Sequence, residues 1–578
     1  MFIHCLKKSY EYRPINENVT DFGTYDYIVV GAGAAGAVIA SRLSEDSNLK
    51  ILLLEAGSHE DSFTDIPSNM LYSQGLRFNW NYKSVPQTTC CLGMVNNECP
   101  YPRGKVLGGS SVLNALMYVR GNKKDFDAWE KAGNSGWGYK DVLPYFKKSE
   151  NSQINGDAGY HSEGGPLNVE YYRGPYSPIY QAFIDSNIEL GRKIVDYNGK
   201  QQLGVAITQF NNINGRRDST AKAFLSLSSS RRNLKIQTNS LATKILIDER
   251  RKIAYGVQFS HSKQLFAAKV SKEVILSPQL LMLSGIGPAK HLDKLKIPLI
   301  KDLSVGKNFQ DHATYYGLLF SSNYSQPVNT LTKDVENFLQ NWGPLINTVN
   351  TQALAFLQTK LVKISDVPDI ELIMVPPLTK SPLRNFIQKA FHYTHETYNA
   401  IWAKLPRKSA FTVYLVLLHP KSRGILKLRS SDPYDYPLIN LRFLSDPNNE
   451  DIERIYEGIQ MTLEIINTTA FKTFEAHLVN VSLPACKIYE YLSKDFWYCH
   501  IRQLTMNIYH PIGTCKMGPN PTKGAVVDHD LKVNGIKQLR VADASVIPFT
   551  TSGHTSAPTI MIAERLSDML QDKHINQC

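Results

Sequence analysis

The stretch YDYIVVGAGAAGAVIASRLSED, residues 25–46, constrains this chain more than any other. Tyr27 to Val30 reads as a short buried strand. Gly31, Gly33 and Gly36 follow at G-x-G-x-x-G spacing, and an amphipathic helix opens on Ala34 and Ala35. Each glycine has a physical reason, respectively a tight turn, close approach of backbone to a pyrophosphate, and close packing of helix on strand. The helix N-terminus then faces the phosphates with unpaired N–H groups and the positive end of its dipole. A second apolar strand, LKILLLEAG, ends in Glu55 and Ala56. Glu55 lies about 20 residues past Gly36, where a carboxylate can bind the adenosine ribose hydroxyls. The pattern specifies a dinucleotide site in an α/β domain. It occurs once, near the start of a long chain, which favours FAD over NAD.

Composition narrows the remaining classes. With 578 residues the chain exceeds one small core and calls for several domains or one large domain with insertions. The net charge of +12 is spread among interspersed acids and bases, so no nucleic-acid partner is expected. The longest apolar run, Ile28 to Ala40, is well short of the roughly 20 residues a bilayer needs. No membrane span is expected, and MFIHCLKKSYEYRP carries no readable signal peptide. The eight cysteines include no C-x-x-C pair, so no metal is expected. Cys91 and Cys99 flank a short loop that either closes as a disulfide or leaves free thiols with Cys90.

A second glycine-rich block, PRGKVLGGSSVLNALMYVRG, begins at Pro102. Gly108 and Gly109 let backbone lie against a ligand, and Ser110 and Ser111 supply hydroxyls. This block, with GAGAAG, LLLEAG, SPQLLMLSGIGP, VGKNFQDH, YHPIGTCKMG and LRVADASVIP…SGHTSAPT, resembles the glucose–methanol–choline oxidoreductase family, in particular its insect glucose-dehydrogenase-like branch. The resemblance runs from about Asp26 to Gln571. It implies an α/β fold: a Rossmann-like FAD-binding domain interleaved with an α+β substrate domain built on an antiparallel sheet. The expected FAD-binding parts are 22–160, 230–312 and 500–578, and the substrate parts 161–229 and 313–499. The strands PDIELIMVP, KSAFTVYLVLLHP and GILKLRSSDPYDYPLINLRFL are expected in the antiparallel sheet, and residues 331–406 are expected to cap the pocket.

The resemblance also implies the chemistry, which is oxidation of an alcohol by hydride transfer to noncovalent FAD, with electrons passed to quinone or another acceptor. His510 and His554 occupy the family's catalytic positions. A neutral imidazole suits removal of a hydroxyl proton near neutral pH. His510 is read as the base and His554 as its partner, with the opposite assignment open. The expected cofactor contacts are Gly31, Gly33, Ala34, Ala35, Gly36, Glu55, Ala56, Arg103, Val106, Gly108, Gly109, Ser110, Asn114, Ala115, Met117, Ala242, Asp543, Ala544, Thr555 and Ser556. Thr555 and Ser556 open a helix whose dipole favours negative charge on reduced flavin. Some relatives attach FAD through a His one residue before the position of Asn114; here that residue is Leu113. A monomer or homodimer is expected. Family resemblance favours secretion, against an N-terminus without a readable signal.

One stretch conflicts with the pattern. In KEVILSPQLLMLSG the strand through Val274, Ile275 and Leu276 meets Ser277-Pro278, an N-cap and first helical residue, with almost no connection. Relatives carry a Gly/Ala-rich turn there, beside the adenosine. Three readings follow: sequence lost from a gene model or splice form, a helix unwound by a turn to bridge the gap, or a chain that no longer holds FAD. Two function classes compete with the oxidoreductase. One is a hydroxynitrile-lyase-type enzyme that keeps FAD without redox chemistry, and the other is a non-catalytic relative.

Overall fold

A computed structural model describes residues 10–572 apart from 277, 326, 328, 349–350, 376–380, 404 and 406–408. Among these residues the backbone is organised by two seven-stranded sheets. In the first, the order is Leu234–Gln237, Ile51–Leu54, Val19–Val30, Gln264–Leu276, Ile253–His261 and Ser240–Asp248, and Leu539–Val541 also pairs with Gln264–Leu276. The strands around Val19–Val30 are parallel to it, with Tyr27 opposite Ile51 and Ile28 opposite Val274. Ile51–Leu54 is buried along its whole length, as a parallel strand covered on both faces must be. The helices Ala34–Leu43 and Ser556–Leu570 pack against each other over this sheet.

The second sheet is antiparallel. Its order is Gly204–Ile207, Ala353–Leu357, Ile370–Val375, Ala410–Leu417, Ala313–Ser321 and His477–Leu478, with Thr505–Asn507 also pairing with Ala313–Ser321. The helix Glu450–Ile466 covers it with a stripe of Ile452, Ile455, Ile459 and Ile466. Gly458 lets the helix approach closely: a Cβ there would lie 2.8 Å from Leu415 Cδ1.

Several expectations are corrected. The strand expected at Tyr27–Val30 starts at Val19, and its neighbour ends at Leu54, one residue before Glu55. GILKLRSSDPYDYPLINLRFL does not join the antiparallel sheet. Its strands Ile425–Lys427 and Leu438–Asn440 pair with each other in a separate hairpin. Thr505–Asn507 lies in the second sheet although it falls within 500–578. Glu150–Ser152 pairs with Leu167–Tyr171 across the 160/161 boundary. Residues 331–406 are more than a cap, because Ala353–Leu357 and Ile370–Val375 are inner strands.

Cys91 and Cys99 are joined as a disulfide, with Cα atoms 5.8 Å apart. Cys486 and Cys499 form a second bridge, which nothing in the local sequence announced. Among the described residues Cys90 and Cys515 are free and buried, and no helix is long and apolar enough to cross a membrane.

Candidate active site

The glycine turn depends on Gly31 for its backbone conformation and on Gly36 for close packing. Gly31 sits at φ +94, and a Cβ on Gly36 would fall 1.9 Å from the Gly31 carbonyl oxygen. Above Gly31 and Gly33 there is open space, with nothing within 4 Å of a built Cβ. The second glycine block packs against the first. The Gly108 N–H donates to the Ala32 carbonyl at 2.8 Å, and a Cβ on Gly109 would meet Gly33 Cα at 2.6 Å. Glu55 closes this end. Its carboxylate accepts the Ala32 N–H at 2.9 Å and the Gly57 N–H at 2.7 Å. Burial nevertheless pushes its pKa up to about 7, because a desolvated carboxylate is costly.

At the far end His510 and His554 face each other, ring centroids 4.7 Å apart. His554 Nε2 lies 3.1 and 3.2 Å from the two oxygens of Glu371, which is fully buried. The His510 backbone N–H donates to Asp311 Oδ1 at 2.9 Å, and Tyr101 donates its hydroxyl to the other oxygen of Asp311. Burial, with His554, His312 and Arg103 nearby, holds His510 well below the usual histidine range. The imidazole is therefore neutral near pH 7, the form that accepts a proton.

Both ends open into one cavity of about 590 Å³. That is a ligand-sized volume. The glycine turn, Glu55, His510 and His554 all line it. Residues 25–314 and 420–563 match the N- and C-terminal models of GMC oxidoreductase. The chain belongs to the GMC oxidoreductase family. It is 37% identical to Drosophila melanogaster glucose dehydrogenase [FAD, quinone] over 562 residues, covering 95% of this chain and 87% of the relative. It is 35% identical to Pseudomonas putida alcohol dehydrogenase [acceptor], covering 95% and 96%. Among solved structures, pyridoxine 4-oxidase from Mesorbium loti superposes with a TM-score of 0.79 at 26% identity, covering 95% of this chain and all of that one. Formate oxidase superposes at 0.81 and 26%, covering 97% and 100%.

Of the residues that family resemblance nominated, all but two line this cavity: His510, His554, Gly31, Gly33, Ala34, Ala35, Gly36, Glu55, Ala56, Arg103, Gly109, Ser110, Asn114, Ala115, Met117, Ala242, Asp543, Ala544, Thr555 and Ser556. The exceptions are Val106 and Gly108. Val106 is fully buried in a cluster with Phe78, Val112 and Leu113. Gly108, at φ +93, faces Val112 and Ala221, where a Cβ would lie 3.0 Å from Val112 Cγ2. Both hold the GMC glycine block in place from behind.

Other contributors have no local signature. Arg217, fully buried, donates through Nη1 to the carbonyls of Ser111 and Asn114 and to Asn114 Oδ1 at 3.0 Å. The Leu116 N–H also donates to that Oδ1. With its oxygen occupied, Asn114 has its NH2 group left for a ligand. Trp80 and Tyr82 stack 5.7 Å apart, Tyr82 meets Tyr436 edge-on at 4.8 Å, and all three line the cavity. The separate hairpin thus closes the Glu55 end through its loop.

The short connection lies on the same wall. The strand runs to Leu276 and the helix is wound from Pro278, so the helix has not unwound to bridge a gap; the N-cap expected at Ser277 lies outside the described residues. Leu276, Pro278 and Gln279 line the cavity, and Gln279 donates to the Asp435 carbonyl at 3.4 Å. If a longer turn belongs there, inserting about six Gly/Ala residues between Leu276 and Ser277 raises the flavin-to-protein ratio of the purified chain. An unchanged ratio shows that the hairpin loop already closes this end.

Proposed function

We propose that this chain is an FAD-dependent enzyme that oxidises a CH–OH group, with His510 as base and His554 orienting the alcohol. The observation that carries the reading is the pair of imidazoles in the same cavity as the glycine cradle. The cradle suits FAD, because Gly31 and Gly33 leave open space where phosphates would approach and Glu55 stands beside them. Gly31 to Gly36 and Glu55 would hold the ADP half, and Gly109, Ser110, Asn114 and Asp543 to Ser545 the flavin half. Leu113 offers no nucleophilic atom, in keeping with noncovalent binding. FAD, when bound, supplies the acceptor for the hydride leaving carbon.

The protein's own part is the proton. Oxidising C–OH to C=O also frees the hydroxyl proton, and neutral His510 accepts it. His554, anchored on Glu371 through Nε2, is held facing His510 across the space where the alcohol would sit. Residues 22–160, 230–312 and 500–578, without the strand Thr505–Asn507, serve FAD in this reading, and 161–229 and 313–499 serve the substrate. The enclosing walls exclude water from the reacting centre. Electrons leave to a quinone or another acceptor. Two disulfides suit an oxidising compartment.

The wall beside the histidines supports a class of alcohol. Ile373 lies two residues along its strand from Glu371, on the same face, and opposite Tyr414. Tyr316 and Tyr414 stand 4.6 Å apart and Phe391 packs on Tyr316 at 5.2 Å; Ile508 and Tyr509 immediately precede His510. All six line the cavity, and Glu371 is already engaged by His554. Such a wall suits an aromatic or aliphatic carbon skeleton better than a polyhydroxylated sugar. The test is anaerobic bleaching of the visible flavin bands. Benzyl alcohol is expected to bleach them at lower concentration than D-glucose does. Preference for glucose overturns the substrate class. Bound flavin that no alcohol in a broad panel bleaches overturns the oxidoreductase reading in favour of a lyase.

A further inference from the structure

His312 lies outside the cavity wall, yet it touches His510. It ends the motif VGKNFQDH and immediately precedes the strand Ala313–Ser321. Its Nε2 is 3.0 Å from the Thr551 carbonyl oxygen, and its Nδ1 is 3.0 Å from His510 Nδ1. The two rings stand at 88°, with centroids 5.2 Å apart.

The donors follow from one fact: a carbonyl oxygen only accepts. His312 Nε2 must therefore carry a hydrogen to bond Thr551. His312 is 1% exposed. Burial, with His419 and His554 nearby, holds its pKa down at about 3, so the ring is neutral. A neutral ring with hydrogen on Nε2 has a bare lone pair on Nδ1. The contact between the two Nδ1 atoms is then a hydrogen bond only if His510 is the donor. His510 thus carries its proton on Nδ1, and its Nε2 is bare.

We propose that His312 is a positioning residue that fixes the tautomer of His510, making His510 Nε2 the atom that accepts the hydroxyl proton. The inference rests on the reading of His510 as base and adds which nitrogen acts and why. When Nε2 takes the proton, the Nδ1–H bond to His312 becomes charge-assisted and strengthens, so the same contact stabilises the protonated product of the step. Asp311 and His312 divide the work: Asp311 holds the main chain of His510, and His312 sets its ring.

Two variants of the full chain with bound flavin test this. His312→Leu removes the acceptor, and His312→Asn keeps one, an amide oxygen in place of Nδ1. The first readout is NMR of ¹⁵N-labelled histidine rings. His510 is expected to show hydrogen on Nδ1 in the wild type and His312→Asn, and to lose that preference in His312→Leu. The second is anaerobic flavin reduction by benzyl alcohol. His312→Leu is expected to slow the limiting rate about a hundredfold with little change in half-saturating concentration, and His312→Asn to recover most of the loss. Hydrogen on Nε2 of wild-type His510 overturns the proposal. So does a wild-type limiting rate in His312→Leu, or a loss that His312→Asn fails to recover while its Nδ1 proton is retained. His510→Ala separates the two ideas, since full activity there removes the base role while the tautomer result stands by itself.

Discussion

Replacing His510 with Ala slows flavin reduction by an alcohol about 10³-fold, within the range that general-base catalysis supplies, while the bound flavin and its spectrum remain. The reason is local. His510 lines the cavity, and among the described residues its hydrogen bonds and ring contacts run to Asp311, His312 and His554 and not to the glycine turns, so its loss is expected to leave the cofactor site closed. The same residue sets a pH dependence. Its folded pKa is depressed below 6.5 by burial and by His554, His312 and Arg103. The active form is the unprotonated ring, so kcat/KM is level at neutral pH and falls as pH drops through that lowered value. The acid limb therefore lies below pH 6.5. An Ala variant within tenfold of wild type removes His510 from the role of base, whereas a limb near pH 7 that the Ala variant keeps belongs to Glu55 or Asp311, both raised to about 7 by burial.

Replacing Gly109 with Ala is expected to yield folded protein with flavin content reduced at least about tenfold. Two costs act together. Gly109 sits at φ +56, a conformation that costs an L-residue about 1–2 kcal/mol. Its new Cβ would also lie 2.6 Å from Gly33 Cα, backbone that cannot swing aside. The two glycine turns must then separate, and they are the two halves of the cradle. Each 1.4 kcal/mol lost from binding is a tenfold loss of affinity. The measurement is the ratio of visible flavin absorbance to protein, with thermal unfolding to confirm the fold. A variant that purifies with wild-type flavin content shows that the turns do not act as one cradle.

The reach of the sequence differed between the two ends of the cavity. The dinucleotide end was legible because its requirements are local: a strand, three glycines, a helix start and an acid lie within one βαβ unit, and each spacing has a steric or electrostatic cause. The glycine block at Gly108 and Gly109 was legible as a backbone feature but not as to what it touches. Gly108 and Val106 brace the turn from behind because the chain folds back on itself there. At the other end, His510 and His554 were found through motif resemblance, whereas their partners were not. Glu371 lies 183 residues from His554, and His312 lies 198 from His510. Arg217 reaches Asn114 across 103 residues.

By itself, then, the sequence determined the strand–turn–helix unit at Tyr27–Val30 and its glycine turn, since spacing along a strand, turn or helix is encoded by neighbours, whereas His510 and His554 came from resemblance to a family. Only the tertiary structure decided which carboxylate holds His554, which imidazole touches His510, and which loop closes the Glu55 end. Those choices depend on how the antiparallel sheet and the separate hairpin pack around the cofactor sheet. Buried polar groups from distant segments must find partners there or remain unsatisfied at a cost, and no short-range pattern records which partner they find.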